Sequence, residues 1–542
     1  MTCLSELSAE LLLCIASFAD QTDLLNLSLT CKCLRAVTEP ELYREYNSSN
    51  SCHSRRPFVP LIKRLIERPE LARHVKRLDL PPWSTLCGIE SFDDGEPENF
   101  PTFGGPEPSA DDYDLITLAA KNAGIIKSIL PYEPESRLVK EARAQWTNPS
   151  YNRHVAFREE YLYDAIVPAK DIPYGRKFCE LLRAGFEDPC LVLLLALLPR
   201  VQEIKLRGTL RQLHALPWKA PMHNFHALRT ISAALTGGFA WPPSFFNTIL
   251  NEGRLKNLHF LEGSSWLSTN GEIPARLSPL SLKPGGLNLQ RLTLQRCIIP
   301  RDDMRKILDA CRGLKSLHYS IEDVGSGGVN FTPAELIKLL RPHKESIEEL
   351  CLEMYPDFNE RDNGNWDSSH GCLTSFAEFS ALKVLDTVAG MWPAYLIGED
   401  LDGGQEPEDR TGLALRLPKS LESLTFSRTY AGQAILLEHI RELFSTRRHH
   451  LPKLRFFCYM RLHPRDRVKP LWDVYESFED DLAQSAAEDP DSFFEFIVGS
   501  RSRSKYQTFP ENQDDDDHPP PGISWTGTKY ASEYRWEYPK AL

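Results

Sequence analysis

From Leu7 onward, large apolar side chains return every three or four residues, at Leu11, Ile15 and Phe18. That is the period of one helical face, and it predicts an amphipathic helix with a capping-prone start around Ser8, between Glu6 and Glu10. Gln21, Thr22 and Asp23 break the pattern and offer an N-cap for a second helix through Leu24, Leu25, Leu27 and Leu29. A third short helix carrying Leu34 and Val37 is expected to stop at Pro40, whose ring removes an amide donor and crowds the preceding turn. A unit this small holds more large aliphatics than its own interior needs, so part of its apolar surface is expected to meet a partner.

Beyond the head the period changes. A pattern of apolar, two variable, apolar, one variable, apolar recurs ten times: Val75/Leu78/Leu80, Val201/Ile204/Leu206, Leu228/Ile231/Ala233, Leu255/Leu258/Phe260, Leu289/Leu292/Leu294, Leu314/Leu317/Tyr319, Ile347/Leu350/Leu352, Leu382/Leu385/Thr387, Leu421/Leu424/Phe426 and Leu454/Phe457/Tyr459. From the second instance on, first members lie 25 to 39 residues apart, at or above the 20–29 of leucine-rich repeats. Alternation puts the paired apolar residues on one face of a short strand. Helical stretches fall between the strands: Thr332 caps one with Pro333 at its first position and Leu336, Ile337, Leu339 and Leu340 behind, and Asp302 to Cys311 and Gln433 to Phe444 are alike. Strand and amphipathic helix in alternation predict an α/β chain of parallel strands with intervening helices, an irregular leucine-rich-repeat-like solenoid over 198–498.

Residues 47–197 are expected to form a helical and loop linker. It includes helices at Asp114 to Leu130, Glu135 to Trp146, Asn152 to Ile166 and Gly175 to Leu198, and an acidic insertion at 88–112 too poor in aliphatics to bury a core. Polar stretches at 356–371 and 398–412 are further expected loops. The tail, 499–542, combines an Arg/Ser run, Asp514 to Asp517 and Pro519 to Pro521 with an aromatic end (Trp525, Tyr530, Tyr534, Trp536, Tyr538); it is expected to be disordered or to cap the last repeat.

Composition narrows the function classes. A net charge of −12 argues against general binding to nucleic acid or anionic membrane, both of which reward clustered Lys and Arg. The longest apolar run, Leu191 to Leu198, falls far short of the roughly 20 residues of a membrane-spanning helix, and is expected to be a buried helix. No basic region precedes an apolar stretch at the N-terminus, so the expected address is cytoplasm or nucleus. Thirteen cysteines without paired CxxC spacing are expected to act as small core side chains rather than as disulfides or zinc ligands.

No catalytic residue, cofactor or metal is expected. Gly325 to Gly328 lacks the lysine and helix of a phosphate loop; His449, His450 and His463 lack a cysteine or carboxylate at ligand spacing; Asp93–Asp94 and Asp111–Asp112 are expected in flexible loops. Trp241, Trp266, Trp366 and Trp392 are candidate aromatic contacts or core.

In the head, the order Leu7, Glu10, Leu11, Leu12, Ile15, Asp23, Leu24, Leu25, Leu27, Cys31, Lys32, Leu34, Arg35, Pro40, Leu42, Tyr43 and Arg44 resembles an F-box. The stretches Leu27 to Arg35 and Pro40 to Arg44 are similar to those of fungal F-box proteins in particular. The departure is Ser8, where the family usually has proline. The resemblance implies a three-helix F-box over 1–46 that docks on the Skp-type adaptor of a cullin–RING ubiquitin ligase, burying Leu7, Leu11, Leu12, Ile15, Leu24, Leu25, Leu27 and Leu34. The solenoid would then hold a protein target while other subunits transfer ubiquitin. A scaffold acting outside any ligase and a solenoid-bearing enzyme are the alternatives.

Overall fold

The structure is a computed structural model and describes residues 7–47, 58–80, 108–132, 173–208 apart from 184 and 186, 225–235, 250, 254–261, 280–299 apart from 296 and 298, 301–321, 332–354, 373–388, 391–392, 412–429, 434–461 and 495–500. The expected loops at 88–107, 356–371 and 398–411, the helices at 135–146 and 152–166, Gly325 to Gly328, Trp241, Trp266, Trp366, His463 and the tail beyond residue 500 lie outside the described residues. The chain divides into two compact units, residues 1–299 with 309–312, and residues 300–308 with 313–542.

The first unit opens with three helices, α1 (Ala9–Phe18), α2 (Gln21–Thr30) and α3 (Lys32–Leu42). Strand β1 (Glu45–Asn47) follows and pairs in parallel with β2 (Arg77–Leu80), which pairs with β3 (Glu203–Gly208), then β4 (Thr230–Leu235), β5 (Asn257–Leu261) and β6 (Arg291–Gln295). Strand pairing therefore reaches back to Glu45, well ahead of residue 198. Helices α4 (Val59–Glu67), α5 (Ala110–Asn122), α6 (Tyr174–Arg183) and α7 (Asp188–Leu197), with a short 3-10 helix at Pro69–Arg73, complete the described elements of this unit. The Leu191 to Leu198 run is buried, mostly within α7. Helix α5 starts earlier than its sequence pattern suggests: Ser109 caps it by accepting from the Asp112 N–H at 3.1 Å, and Asp111 and Asp112 sit in its first turn. These two carboxylates are thus not loop residues. The helix dipole favours anions there, and Asp112 also pairs with Lys63 of α4.

In the second unit, β7 (Ser316–Ile321), β8 (Glu349–Met354), β9 (Val384–Val388), β10 (Ser423–Thr429), β11 (Phe456–Arg461) and β12 (Glu495–Ser500) pair in parallel in sequence order. Helices α8 (Arg301–Ala310), α9 (Pro333–Leu340), α10 (Leu413–Arg416) and α11 (Ala434–His450) intervene. The capping box at Thr332 forms: its hydroxyl accepts from the Glu335 N–H at 3.1 Å, and the Glu335 carboxylate accepts from the Thr332 N–H at 2.9 Å. Helix α11 runs past Phe444 to His450 because Arg447, Arg448, His449 and His450 supply cations to its C-terminal turn. The two histidines thus end a helix. Each unit is an α/β, solenoid-like stack of parallel strands with helices between them.

All ten instances of the apolar pattern fall on β2 to β11. Each instance supplies a buried residue in the turn before its strand and two strand positions on one face, which are buried wherever their side chains are described. In the second unit the first strand row is Leu317, Leu350, Leu385, Leu424 and Phe457, each at 1 % exposure or less. The second row contains Tyr319, Leu352, Thr387, Phe426 and Tyr459. Register is pinned at the start of the strands by a repeated main-chain device. The Lys315 carbonyl accepts from both Glu348 and Glu349 N–H, that of Glu348 from Lys383 and Val384, that of Lys383 from Glu422 and Ser423, and that of Glu422 from Arg455 and Phe456. A carbonyl oxygen has two lone pairs, so each of these turns engages both on its neighbour. Lys76, Gln202, Arg229 and Lys256 do the same in the first unit.

Trp392 belongs to the core of the second unit. It is 1 % exposed, donates its indole N–H to Thr387 Oγ1 at 3.0 Å and stands edge-on to Phe376 and Phe426. Among the described residues, no helix is long and apolar enough to cross a membrane.

Candidate docking face of the N-terminal head

Local chemistry starts each helix of the head. The Ser8 hydroxyl accepts from the Leu11 N–H at 3.5 Å, so the serine that replaces the family's usual proline caps α1 in place of a preset backbone angle. The second helix is capped by Asp20, whose carboxylate accepts from the Asp23 N–H at 2.8 Å. It therefore starts two residues before Asp23, the last of the residues expected to cap it. Cys31 caps α3 through its Sγ, 3.4 Å from the Leu34 nitrogen. Pro40 does not end α3, which continues to Leu42. In the last turn a proline removes only one helical hydrogen bond, and the helix stops two residues later.

Which leucines point where decides what the head can do. Leu12, Leu24 and Leu34 are 4, 4 and 7 % exposed, and with Ala16, Ser28 and Thr38 they form the head's own interior. Leu7 and Leu27 are half-buried. Leu11, Ile15 and Leu25 stand out in water, Leu11 at 54 %, and with them Leu13, Phe18 at 86 % and Leu29 at 66 %. Of the eight leucine and isoleucine positions singled out in the sequence, three thus face outward, two lie at the margin and three face inward. Leu13, Phe18 and Leu29 were not among the eight, although Phe18 and Leu29 lie on the periodic stripes. The inward face of α1 and α2 is built from small residues, Ala16 and Ser28, beside one leucine each. The large aliphatics are left on the surface, an arrangement characteristic of interaction sites.

The head is fastened to the first repeat. Arg68, in the turn after α4, grips the Glu39 carboxylate of α3 with both terminal guanidinium nitrogens, one of them at 2.8 Å. The hydrogen bond from Arg68 holds the Glu39 carboxyl below the usual carboxylate range. Gln21 of α2 donates to the Glu45 carbonyl of β1 at 2.6 Å. These contacts tie the head to β1 and to the turn after α4.

Residues 9–49 match the family model described as F-box-like. The chain carries an F-box-like head. No curated protein matches the chain. The matched residues of this F-box-like head span its three helices and β1, and include every outward leucine of the docking face.

None of the nine described cysteines is in a disulfide; Cys14, Cys31 and Cys33 are exposed on the head, and the other six are buried. Burial pushes the Cys311 thiol up to about 12, which keeps it protonated and unreactive at neutral pH.

Proposed function

We propose that this protein is the substrate-recognition subunit of a cullin–RING ubiquitin ligase, with a Skp-type adaptor bound by the head and a protein target held by the repeats. The observation that carries this reading is an F-box-like head whose large aliphatics point into solvent while its own interior is closed by Leu12, Leu24 and Leu34. F-box domains bind Skp-type adaptors, and a helical face laid in an apolar groove needs no charged or catalytic group. Each aliphatic side chain fully buried in such a groove contributes on the order of 1.5–3 kcal/mol, enough for four or five of them to outweigh the cost of association. The head is read as an F-box of the fungal type and the repeat region as leucine-rich-repeat-like, with the strand face opposite the core as the place for the target. On this reading the chain makes no bond itself and works in the cytoplasm or nucleus.

Co-purification tests the assembly. The full-length protein is mixed with a Skp-type adaptor and a cullin, and the complex is resolved by size. A ternary complex that needs the head supports the ligase reading. Adaptor binding without cullin recruitment supports instead an interaction scaffold acting outside a ligase, and no adaptor binding removes both.

A further inference from the structure

Along the strands of the second unit, the residues between the core rows face the opposite side of the sheet. One register row on that side runs His318 on β7, Cys351 on β8, Asp386 on β9, Thr425 on β10 and Cys458 on β11. Glu353 lies two residues beyond Cys351 on the same strand, hence on the same face. His318, Cys351 and Glu353 each bring one atom able to ligate a metal to within 4.8 Å of one another. The site is shielded: Cys351 and Glu353 are each 9 % exposed, and Nε2 of His318 and one carboxylate oxygen of Asp386 are closed off from solvent.

We propose that His318, Cys351 and Glu353 form a binding site for a divalent transition metal, zinc fitting best. One imidazole nitrogen, one thiolate sulfur and one carboxylate oxygen are the three donor types zinc takes, and the sulfur disfavours magnesium and calcium. Charge agrees as well, because a thiolate and a carboxylate beside a neutral imidazole balance a doubly charged ion in a place where uncompensated charge is costly. Tetrahedral bonds of roughly 2.0–2.3 Å put ligand atoms about 3.5 Å apart, so the trio needs to close by no more than about 1.3 Å on binding, within the reach of side-chain torsions. The fourth position is left for water. The ion joins two neighbouring repeats, β7 to β8, and stabilises the second unit by binding the folded state only.

The test uses the full-length, reduced protein, stripped with chelator and then titrated with zinc by calorimetry and with cobalt by absorption. The expected result is one zinc per chain and a thiolate-to-cobalt charge-transfer band. Cys351→Ser removes that band. His318→Ala and Glu353→Gln each weaken zinc by more than the roughly 10–100-fold that losing an outer-shell partner costs. Cys458→Ser, on the same row three strands away from Cys351, changes neither readout. Zinc affinity also falls as pH is lowered, since the ligands must shed their protons. Circular dichroism checks each variant, and three separate ligand substitutions keep the test decisive if one of them unfolds. Absence of binding by the reduced protein overturns the proposal, as does one zinc per chain that survives both Cys351→Ser and His318→Ala.

Discussion

Exchanging Glu39 for glutamine tests whether the head is held to the first repeat by charge. In the native protein Arg68 donates two hydrogen bonds to Glu39 and one, at 2.7 Å, to Glu70. The Glu39 and Arg68 side chains are 19 and 31 % exposed, partly screened but not free in water. A bidentate, partly buried pair lies above the 0.2–1 kcal/mol of an exposed ion pair and well below a fully buried one, so Glu39→Gln should cost about 1 kcal/mol. Arg68→Met should cost more than Glu39→Gln, because it leaves both Glu39 and Glu70 without their cation. The coupling between them, read from a double-mutant cycle by urea unfolding, should be near 1 kcal/mol. The pH dependence has a definite sign. The folded-state acidity of Glu39 is raised by Arg68, so its contribution is present above the unfolded value of 4.5 and is lost as pH falls through the lower folded value. Arg68 is shifted further upward and stays charged throughout. A coupling below about 0.3 kcal/mol at neutral pH, or one unchanged after acidification below the folded value, would refute the idea that this ion pair fastens the head.

Four further substitutions separate packing, capping and buried charge. Leu350→Ala, in the middle of the first core row of the second unit, should cost about 2–5 kcal/mol in thermal or urea unfolding, while Leu11→Ala on the outward face of the head should stay within about 0.5 kcal/mol. Thr332→Ala removes the capping box of α9 and should cost about 1 kcal/mol, seen as faster amide exchange confined to the first turns of that helix; unchanged exchange would mean that packing alone holds it. Arg183 is almost wholly buried, pairs with Glu180 at 3.1 Å, donates to the Pro131 carbonyl and lies over the Tyr113 ring, so Arg183→Met should destabilise the first unit by about 3–5 kcal/mol. A loss below 1 kcal/mol there would show that the pair is not held against water.

The strands were legible because their pattern carries two independent marks, an apolar residue in the turn and alternation along the strand, and both are demanded by the same stacking of neighbours. Val75/Leu78/Leu80 and Leu454/Phe457/Tyr459 differ in every side chain yet take the same place in their repeats. Helix limits were less legible. Pro40 reads as a stop on its local chemistry, and Asp111 with Asp112 as loop on their charge, but the position of each within its helix, the last turn and the first turn, makes both compatible with helical structure. The orientation of the head was not legible at all, since Leu11 and Leu12 are adjacent and equally apolar, and only the packing of three helices decides which one turns inward. No sequence spacing marks the trio at His318, Cys351 and Glu353, for a related reason: its first two members come from different repeats, and strand pairing rather than sequence proximity brings them together.

The most direct test of the docking face is the affinity of the purified protein for a Skp-type adaptor, measured by calorimetry beside two variants. One carries Leu11→Asp and Leu25→Asp in the head, and the other carries Leu118→Asp, an equally exposed leucine on α5. Burying two carboxylates where two leucines belong should weaken binding by at least about 100-fold, with circular dichroism and the unfolding midpoint unchanged, and Leu118→Asp should bind like the native protein. Native affinity in the folded head variant, or no binding by the native protein itself, would contradict the assignment of the outward leucines as the adaptor site.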